Sequence, residues 1–220
     1  MNKRFDFDDK YLIKADYVIG TDEAGRGPGA GPVFAAAVCF VSLDKTTKKL
    51  LDKLNDSKQL SEKLREELYE IIVENSIWSV KCGSVEDIEK LNILQTSLLT
   101  MKSCVDEIKT KPESENIIVL VDGNKKIPKL KYSQETIIKG DFKSASIAAA
   151  SIIAKVTRDR YMIELDKEFP MYGWADNKGY MTQQHLDAVD KYGLTKWHRK
   201  KFFEKHFEKS QQLSIFGINK

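Results

Sequence analysis

The sequence has 220 residues, 41% of them hydrophobic, and this length suits one domain with a substantial buried core. Its 36 basic and 33 acidic residues leave a net charge of +3, so the overall charge does not indicate a nucleic-acid partner. Three unclustered cysteines argue against a disulfide framework or a zinc site and fit a reducing cytosol. The N-terminus lacks the apolar run of a signal peptide, which predicts a cytoplasmic protein with no membrane segment.

The first half of the chain alternates strand and helix patterns. Residues 17–20 and 33–41 are apolar runs that predict neighbouring strands around a Gly/Pro loop. Ser61 is a predicted N-cap, because apolar residues follow it at helical spacing, and 77–82 predicts a strand. Apolar residues between 88 and 108 predict one further helix.

The second half predicts two short strands followed by helices. The strands, 117–121 and 136–139, each end at an aspartate. Small residues and strong helix formers over 144–164 predict a buried central helix. Thr182 and Thr195 are predicted caps of short helices, and the chain beyond Lys205 is expected to fray. We expect an extension at 1–16, one folded domain at 17–205 that includes the C-terminal helices, and a basic tail at 206–220.

Two adjacent carboxylates, Asp22 and Glu23, follow the first strand and precede a glycine-rich loop. Neighbouring strand residues point to opposite faces, so both acids can serve one site only if the strand ends or bends there, which Gly25 and Gly27 permit. A bound divalent cation would relieve the repulsion between the two charges. The alternative is a pair of solvated acids at a strand end.

Asp122 and Asp141 add two more carboxylates at strand ends, so four acids can converge. Mg²⁺ prefers oxygen ligands and keeps several waters, so a few carboxylates suffice to hold it. Either aspartate could instead be a turn residue, and Asp141 could cap the central helix.

The loop from Gly25 to Ala30 formally matches a dinucleotide-binding fingerprint, but a strand follows it where that motif requires a helix.

Long blocks of the sequence resemble ribonuclease HII between about Tyr17 and Phe202. They read DEAGRG, NDSKQLSEKLREELYE, LNILQTSLLTM, VDGN, KGDFKSASIAAASIIAKVTRDR, NKGYMTQQHL and HRKKF. The resemblance implies an α/β, ribonuclease H-like fold, with a central mixed sheet flanked by helices and a helical C-terminal region. It also implies that Asp22, Glu23, Asp122 and Asp141 are the metal-binding and catalytic acids, acting with two Mg²⁺ or Mn²⁺ ions.

The implied reaction is hydrolysis on the 5′ side of a ribonucleotide, in RNA/DNA hybrids or singly embedded in duplex DNA, leaving 3′-hydroxyl and 5′-phosphate ends. By resemblance, Gly25-Arg26-Gly27 senses the ribose 2′-hydroxyl and Tyr180 packs on the neighbouring deoxyribose. Without the resemblance, Arg26 would be a surface charge and Tyr180 a half-buried core residue. Further positions resemble the substrate groove: Asn55, Ser57, Lys58, Lys143, Ser144 and Ser146.

Three departures from the family pattern occur: Gly29 replaces a larger apolar residue, Met181 replaces a glycine or proline after the tyrosine, and Thr195-Lys196 lack a common proline.

Two alternatives stay open, a ribonuclease HIII-like hybrid nuclease and a non-catalytic nucleic-acid-binding module. We expect a monomer. The basic C-terminal stretch could grip a duplex, and the tail residues Gln211, Leu213, Ile215 and Phe216 resemble a sliding-clamp-binding peptide.

Overall fold

Five strands form one mixed sheet in the computed structural model, which describes residues 3–54, 57, 60–108 and 114–215. The strands are β1 (Tyr17–Ala24), β2 (Val33–Cys39), β3 (Ile77–Gly83), β4 (Ile117–Asp122) and β5 (Ser133–Ile137). Their order is β3-β2-β1-β4-β5, with β1 antiparallel to β2, β2 antiparallel to β3, and both β1–β4 and β4–β5 parallel. The predicted α/β fold with a mixed sheet is confirmed.

The helices precede, connect and follow these strands. They are α1 (Lys3–Leu12), α2 (Lys45–Leu50), α3 (Glu62–Asn75), α4 (Val85–Leu91), α5 (Ile93–Glu107), α6 (Gly140–Lys143), α7 (Ala145–Glu168), α8 (Trp174–Asn177), α9 (Gln183–Tyr192) and α10 (Lys200–Ile215). Across the described ranges, none of them is long and apolar enough to cross a membrane.

The sheet is covered on both faces because alternate residues of its strands point to opposite sides. Ala36 and Val38 of β2 belong to the core that includes α7, whereas Ala35 and Ala37 belong to the core that includes α5. At Gly20 a Cβ atom would lie 2.2 Å from the backbone of Ser146. The central helix α7 therefore lies directly on β1, which the run of small residues predicted.

Several predicted boundaries differ from the structure. The predicted helix between 88 and 108 is two helices, because Asn92, at a φ of 74°, ends α4 and caps α5. Thr195 does not cap a helix: its backbone amide and hydroxyl contact His198 in a turn before α10. The last strand lies at Ser133–Ile137, earlier than predicted. Helix α10 continues to Ile215, beyond Lys205 where fraying was predicted.

Candidate active site

Parallel pairing of β1 with β4 brings two of the predicted acids together. Gly20 pairs with Leu120 and Thr21 with Val121, so the next residues, Asp22 and Asp122, stand side by side at the ends of adjacent strands. Residues in the same register of a parallel pair point to the same face of the sheet. Asp22 and Asp122 therefore share the face that α7 covers.

Asp22 is a buried carboxylate at the centre of the site, only 6% exposed. Burial raises its pKa well above the ordinary value, and the charges of Glu23 and Asp122 raise the pKa further. A hydrogen bond from Ser151 lowers it in part, and the Ser151 hydroxyl lies 2.9 Å from that of Ser57. The crowded negative charge at Asp22 is the electrostatic condition that a bound cation would relieve.

Glu23 reaches the site from a strand that does not end at the acids. Strand β1 pairs with β2 through Ala24, and Glu23 lies opposite Ala35. The carboxylate of Glu23 accepts a hydrogen bond from Arg26 Nη1 at 3.1 Å, while its backbone amide donates to Asp22 Oδ1 at 2.7 Å. Glu23 thus contacts Asp22 through its backbone amide and the loop at 25–27 through its side chain.

Asp141 lies on the short helix α6, directly after Gly140, the residue that contacts the carboxylate of Asp122. The backbone amide of Gly140 donates to Asp122 Oδ1 at 2.7 Å, which ties the end of β4 to α6. Asp141 Oδ1 accepts from its neighbour Phe142 at 3.0 Å. The alternative that Asp141 caps the central helix is wrong, because the hydroxyl of Ser144 caps α7 by accepting from Ile147.

The chemistry of these oxygen donors fits Mg²⁺ or Mn²⁺, since carboxylates are the protein ligands that such hard cations prefer. In the parts of the chain that the structure describes, no three His, Cys, Asp or Glu side chains form a ready-made metal-binding group. The Arg26 contact occupies one oxygen of Glu23, so a cation would have to displace or share it. Asp22 lies beside Glu23 and Asp122, and Asp141 follows Gly140 on α6, so a site made of all four carboxylates would require these side chains to move together on metal binding.

A cavity of about 110 Å³ adjoins Glu23 and contains several predicted substrate residues. Its lining comprises Glu23, Ala24, Gly25, Arg26, Gly27, Ser57, Ser151, Lys155, Arg158 and Tyr180. Ser151 and Lys155 come from one face of α7, and neither was predicted as a site residue. Both are polar and are spaced i, i+4 on the central helix, so they lie on the same face of it, and this pattern is the signal that could have identified them.

Two buried arginines hold the loop that carries Gly25-Arg26-Gly27. Arg158 donates to the backbone oxygens of Ala30, Pro32 and Lys178 at 3.1, 3.2 and 2.9 Å. Arg199 donates to those of Gly31, Pro28 and Arg26 at 2.8–3.3 Å. Burial lowers the pKa of Arg158 to about 10 and that of Arg199 to about 9, so both remain cationic at neutral pH.

Arg158 also explains why position 25 is a glycine. Gly25 has a φ of +99°, and a Cβ atom there would lie 2.2 Å from Arg158 Nε. Sequence reasoning did not single out Arg158, although its place on the buried central helix is unusual for a charged residue.

Tyr180 is 46% exposed at the rim of this cavity, and Gly27 lies against its ring. A chain of buried hydrogen bonds holds its backbone. The Thr195 amide donates to His198 Nδ1 at 2.9 Å, so His198 Nε2 carries the proton and donates to His185 Nε2 at 3.1 Å. His185 Nδ1 then donates to the Tyr180 oxygen at 2.9 Å. His185 and His198 are thus positioning residues held in neutral form.

Two departures from the family pattern compensate each other. A Cβ atom at Gly29 would lie 2.7 Å from Met181 Cγ and 2.9 Å from the ring of Phe203. The missing side chain at position 29 therefore provides the space that Met181 occupies beside Tyr180.

Other predicted substrate residues lie in different surroundings. Ser144 and Ser146 are 0% and 2% exposed, their hydroxyls lie 3.0 Å apart, and both bond to Asp8 of α1. Both serines are therefore buried against α1, and their place in the substrate groove stays a prediction. Lys143 is exposed at the end of α6, and Ser57 lines the cavity. Asn55, Lys58 and Phe216 lie outside the described residues, as do the side chains of Gln211, Leu213 and Ile215.

Comparisons with known proteins agree on one family. The family profile for ribonuclease HII matches residues 19–210. A ribonuclease HII from Pelagibacter ubique is 51% identical, covering 83% of this chain and 94% of the relative. A structure of ribonuclease H2 from Pyrococcus horikoshii OT3 is similar with a TM-score of 0.68 at 25% identity, covering 88% of this chain and 99% of that one.

The ribonuclease HII in a PCNA:RNase HII complex from Archaeoglobus fulgidus is similar with a TM-score of 0.65 at 29% identity, covering 83% of this chain and 93% of that one. These matches favour ribonuclease HII over the HIII-like alternative and an enzyme over a non-catalytic module. The chain therefore belongs to the ribonuclease HII family and is a ribonuclease H endonuclease.

Proposed function

We propose that this enzyme hydrolyses the phosphodiester on the 5′ side of a ribonucleotide, in RNA/DNA hybrids and at single ribonucleotides within duplex DNA, leaving 3′-hydroxyl and 5′-phosphate ends. The observation that carries the proposal is the parallel register that sets Asp22 beside Asp122, with Glu23 next to Asp22 and with Gly140, the residue before Asp141, bonded to Asp122. A role in removing misincorporated ribonucleotides from DNA follows from that specificity.

Asp22, Glu23, Asp122 and Asp141 would hold two divalent ions, Mg²⁺ or Mn²⁺. When bound, such ions supply activation of the attacking water and charge stabilisation for the leaving 3′ oxygen. Burial and the acidic neighbours Glu23 and Asp122 raise the pKa of Asp22, so a nearby cation would stabilise the charged form of this carboxylate. The amide of Gly140 fixes one oxygen of Asp122 and so helps to orient this carboxylate.

The cavity beside Glu23 would recognise the ribose. Backbone groups can approach a sugar closely only where no Cβ intervenes, and Gly25 and Gly27 provide such a surface. Tyr180, half-exposed at the rim, offers its ring to the next sugar. Lys155, which pairs with Asp159, and Arg26, which pairs with Glu23, line the same cavity, where a phosphate would compete with these carboxylates for the two cations.

Product analysis tests this proposal directly. A labelled DNA duplex with one ribonucleotide, incubated with enzyme and Mg²⁺, should be nicked on the 5′ side of that ribonucleotide. The new ends should be a 3′-hydroxyl, extendable by a polymerase, and a 5′-phosphate, and EDTA should abolish the cut. Cutting on the 3′ side, or unchanged cutting in EDTA, would refute the proposed reaction.

We also propose a sliding-clamp contact through the tail residues Gln211, Leu213, Ile215 and Phe216. A clamp complex is known for the similar archaeal protein. A pull-down with a sliding clamp from the source organism should lose its signal when 210–220 are deleted, and an absent or unchanged signal would end this proposal.

A further inference from the structure

Helix α1 makes three polar contacts with the body of the protein through one face. Arg4 Nε donates to the backbone oxygen of Asp141 at 3.1 Å, and Asp8 Oδ2 accepts from the backbone amide of Ser146 at 2.8 Å. The hydroxyl of Tyr11 donates to Glu135 at 3.0 Å. The three helix residues are spaced i, i+4 and i+7, which places them on the same side of α1.

All three contacts end on one stretch of chain, residues 135–146. This stretch runs from β5 through α6 into the first turn of α7 and carries Asp141. It also carries Gly140, whose amide holds the carboxylate of Asp122 at 2.7 Å. A displacement of this stretch would therefore move Asp141 and the hydrogen bond to Asp122 together.

The helix is itself fixed, so it can support its neighbours. A helix of ten residues is marginal in water and needs tertiary contacts. Phe5 supplies them: it is 6% exposed, packs in the core with α7, and its ring centroid lies 5.5 Å from that of Phe40. Asp8 is equally buried and bonded to Ser144 and Ser146, which sets the helix against the start of α7.

We propose that α1 is a positioning element of the active site and that Arg4 is a positioning residue for Asp141. This inference rests on the proposed catalytic role of Asp141. Arg4 acts by holding the backbone of Asp141, and its positive charge also attracts the Asp141 carboxylate. The helix then belongs to the catalytic unit, although it lies within the expected N-terminal extension.

The test compares Arg4→Met with Lys10→Met, which removes an exposed cation from the same helix. For Mg²⁺-dependent cleavage of a duplex with one ribonucleotide, Arg4→Met should lower kcat roughly 10- to 100-fold, because small displacements of a catalytic group have effects of that order. The KM for the duplex should change less than about twofold, since substrate contacts are intact. Arg4→Lys, which keeps a donor, should recover part of the loss.

A second readout does not depend on activity. The amide of Phe142 donates to Asp141 Oδ1 at 3.0 Å, so its resonance in a ¹H–¹⁵N spectrum reports the position of that carboxylate. It should shift in Arg4→Met and stay in place in Lys10→Met. Such a shift with a lower kcat, partly restored in Arg4→Lys, supports the inference.

Two results would overturn the inference. In the first, Arg4→Met has the same kcat and the same Phe142 resonance as Lys10→Met. In the second, the activity of Arg4→Met falls only in proportion to the loss of folded protein, and Arg4→Lys recovers none of it. These outcomes are distinct from failure of the proposed function, in which the unmodified enzyme and Lys10→Met would not cut beside the ribonucleotide at all.

Discussion

Arg158 should be a main support of the loop at 25–32, and Arg158→Met tests this. Its guanidinium donates to three backbone oxygens, on Ala30, Pro32 and Lys178, at 2.9–3.2 Å. A buried acceptor left without a donor costs about 1–3 kcal/mol, which gives about 3–9 kcal/mol for three. Methionine carries no charge, so the variant avoids the cost of burying the guanidinium, which offsets part of this loss. We therefore expect the free energy of unfolding to fall by about 3–5 kcal/mol.

Urea unfolding and thermal melting measure this loss. For a domain of this size, about 3–5 kcal/mol corresponds to a fall in Tm of roughly 6–20 °C. The matched control is Arg160→Met, whose side chain is 48% exposed and pairs with Glu66 and Glu70 at the surface. Exposed ion pairs of this kind contribute about 0–1 kcal/mol, so this variant should melt close to the unmodified protein.

Arg158→Met should also weaken substrate recognition, because the same three bonds join the loop at 25–32 to the segment before Tyr180. Relative to the unmodified enzyme, the KM for a single-ribonucleotide duplex should rise more in Arg158→Met than in Arg160→Met. Equal melting temperatures and equal KM values for the two variants would show that Arg158 does not support the loop.

Three further predictions concern the rim of the cavity. Tyr180→Ala should lower the rate of cleavage at a single ribonucleotide more than it lowers the affinity for the duplex. Equal cleavage by the variant and the unmodified enzyme in a gel assay would refute the role of the ring. Gly29→Ala should lower Tm, since its Cβ would lie 2.7 Å from Met181 Cγ, and adding Met181→Gly should recover part of that loss; a purely additive double variant would contradict the compensation. Burial and the neighbouring His185 lower the pKa of His198 from 6.5 to about 3. As the pH falls, His198 therefore becomes protonated in the unfolded chain before it does so in the folded protein. Its contribution to the free energy of unfolding is complete above pH 6.5 and decreases as the pH drops towards 3. Urea titrations of His198→Gln should show a shallower acid slope, and an unchanged slope would exclude this histidine as a cause.

The sheet and the central helix were predictable because their patterns are local. Apolar runs gave β1, β2 and β4, and Ser61 and Thr182 cap the predicted helices through short-range hydrogen bonds. The helix break at Asn92 was not predictable, since apolar spacing continues across a residue whose positive φ ends one helix and begins the next. The last strand was misplaced because its sequence, SQETI, is mostly polar at a sheet edge.

The site was predictable where residues adjoin in sequence and less so where distant segments meet. Asp22 and Glu23 stood out as adjacent acids, but the pairing of Asp22 with Asp122 depends on strand register. Arg158, Ser151 and Lys155 reach the cavity only because α7 packs on β1. The burial of Ser144 and Ser146 depends on α1, whose sequence alone did not indicate where it packs.

The most direct test of the proposed site is Mg²⁺-dependent cleavage of a single-ribonucleotide duplex by Asp122→Asn, beside the exposed control Asp176→Asn. Asparagine keeps an acceptor for the Gly140 amide, so the fold should persist while the charge for metal binding is lost. We expect Asp122→Asn to lose at least about 100-fold in kcat/KM at an unchanged Tm, which corresponds to about 2.7 kcal/mol of transition-state stabilisation. Full cleavage by folded Asp122→Asn would contradict the assignment of the four carboxylates as the catalytic centre.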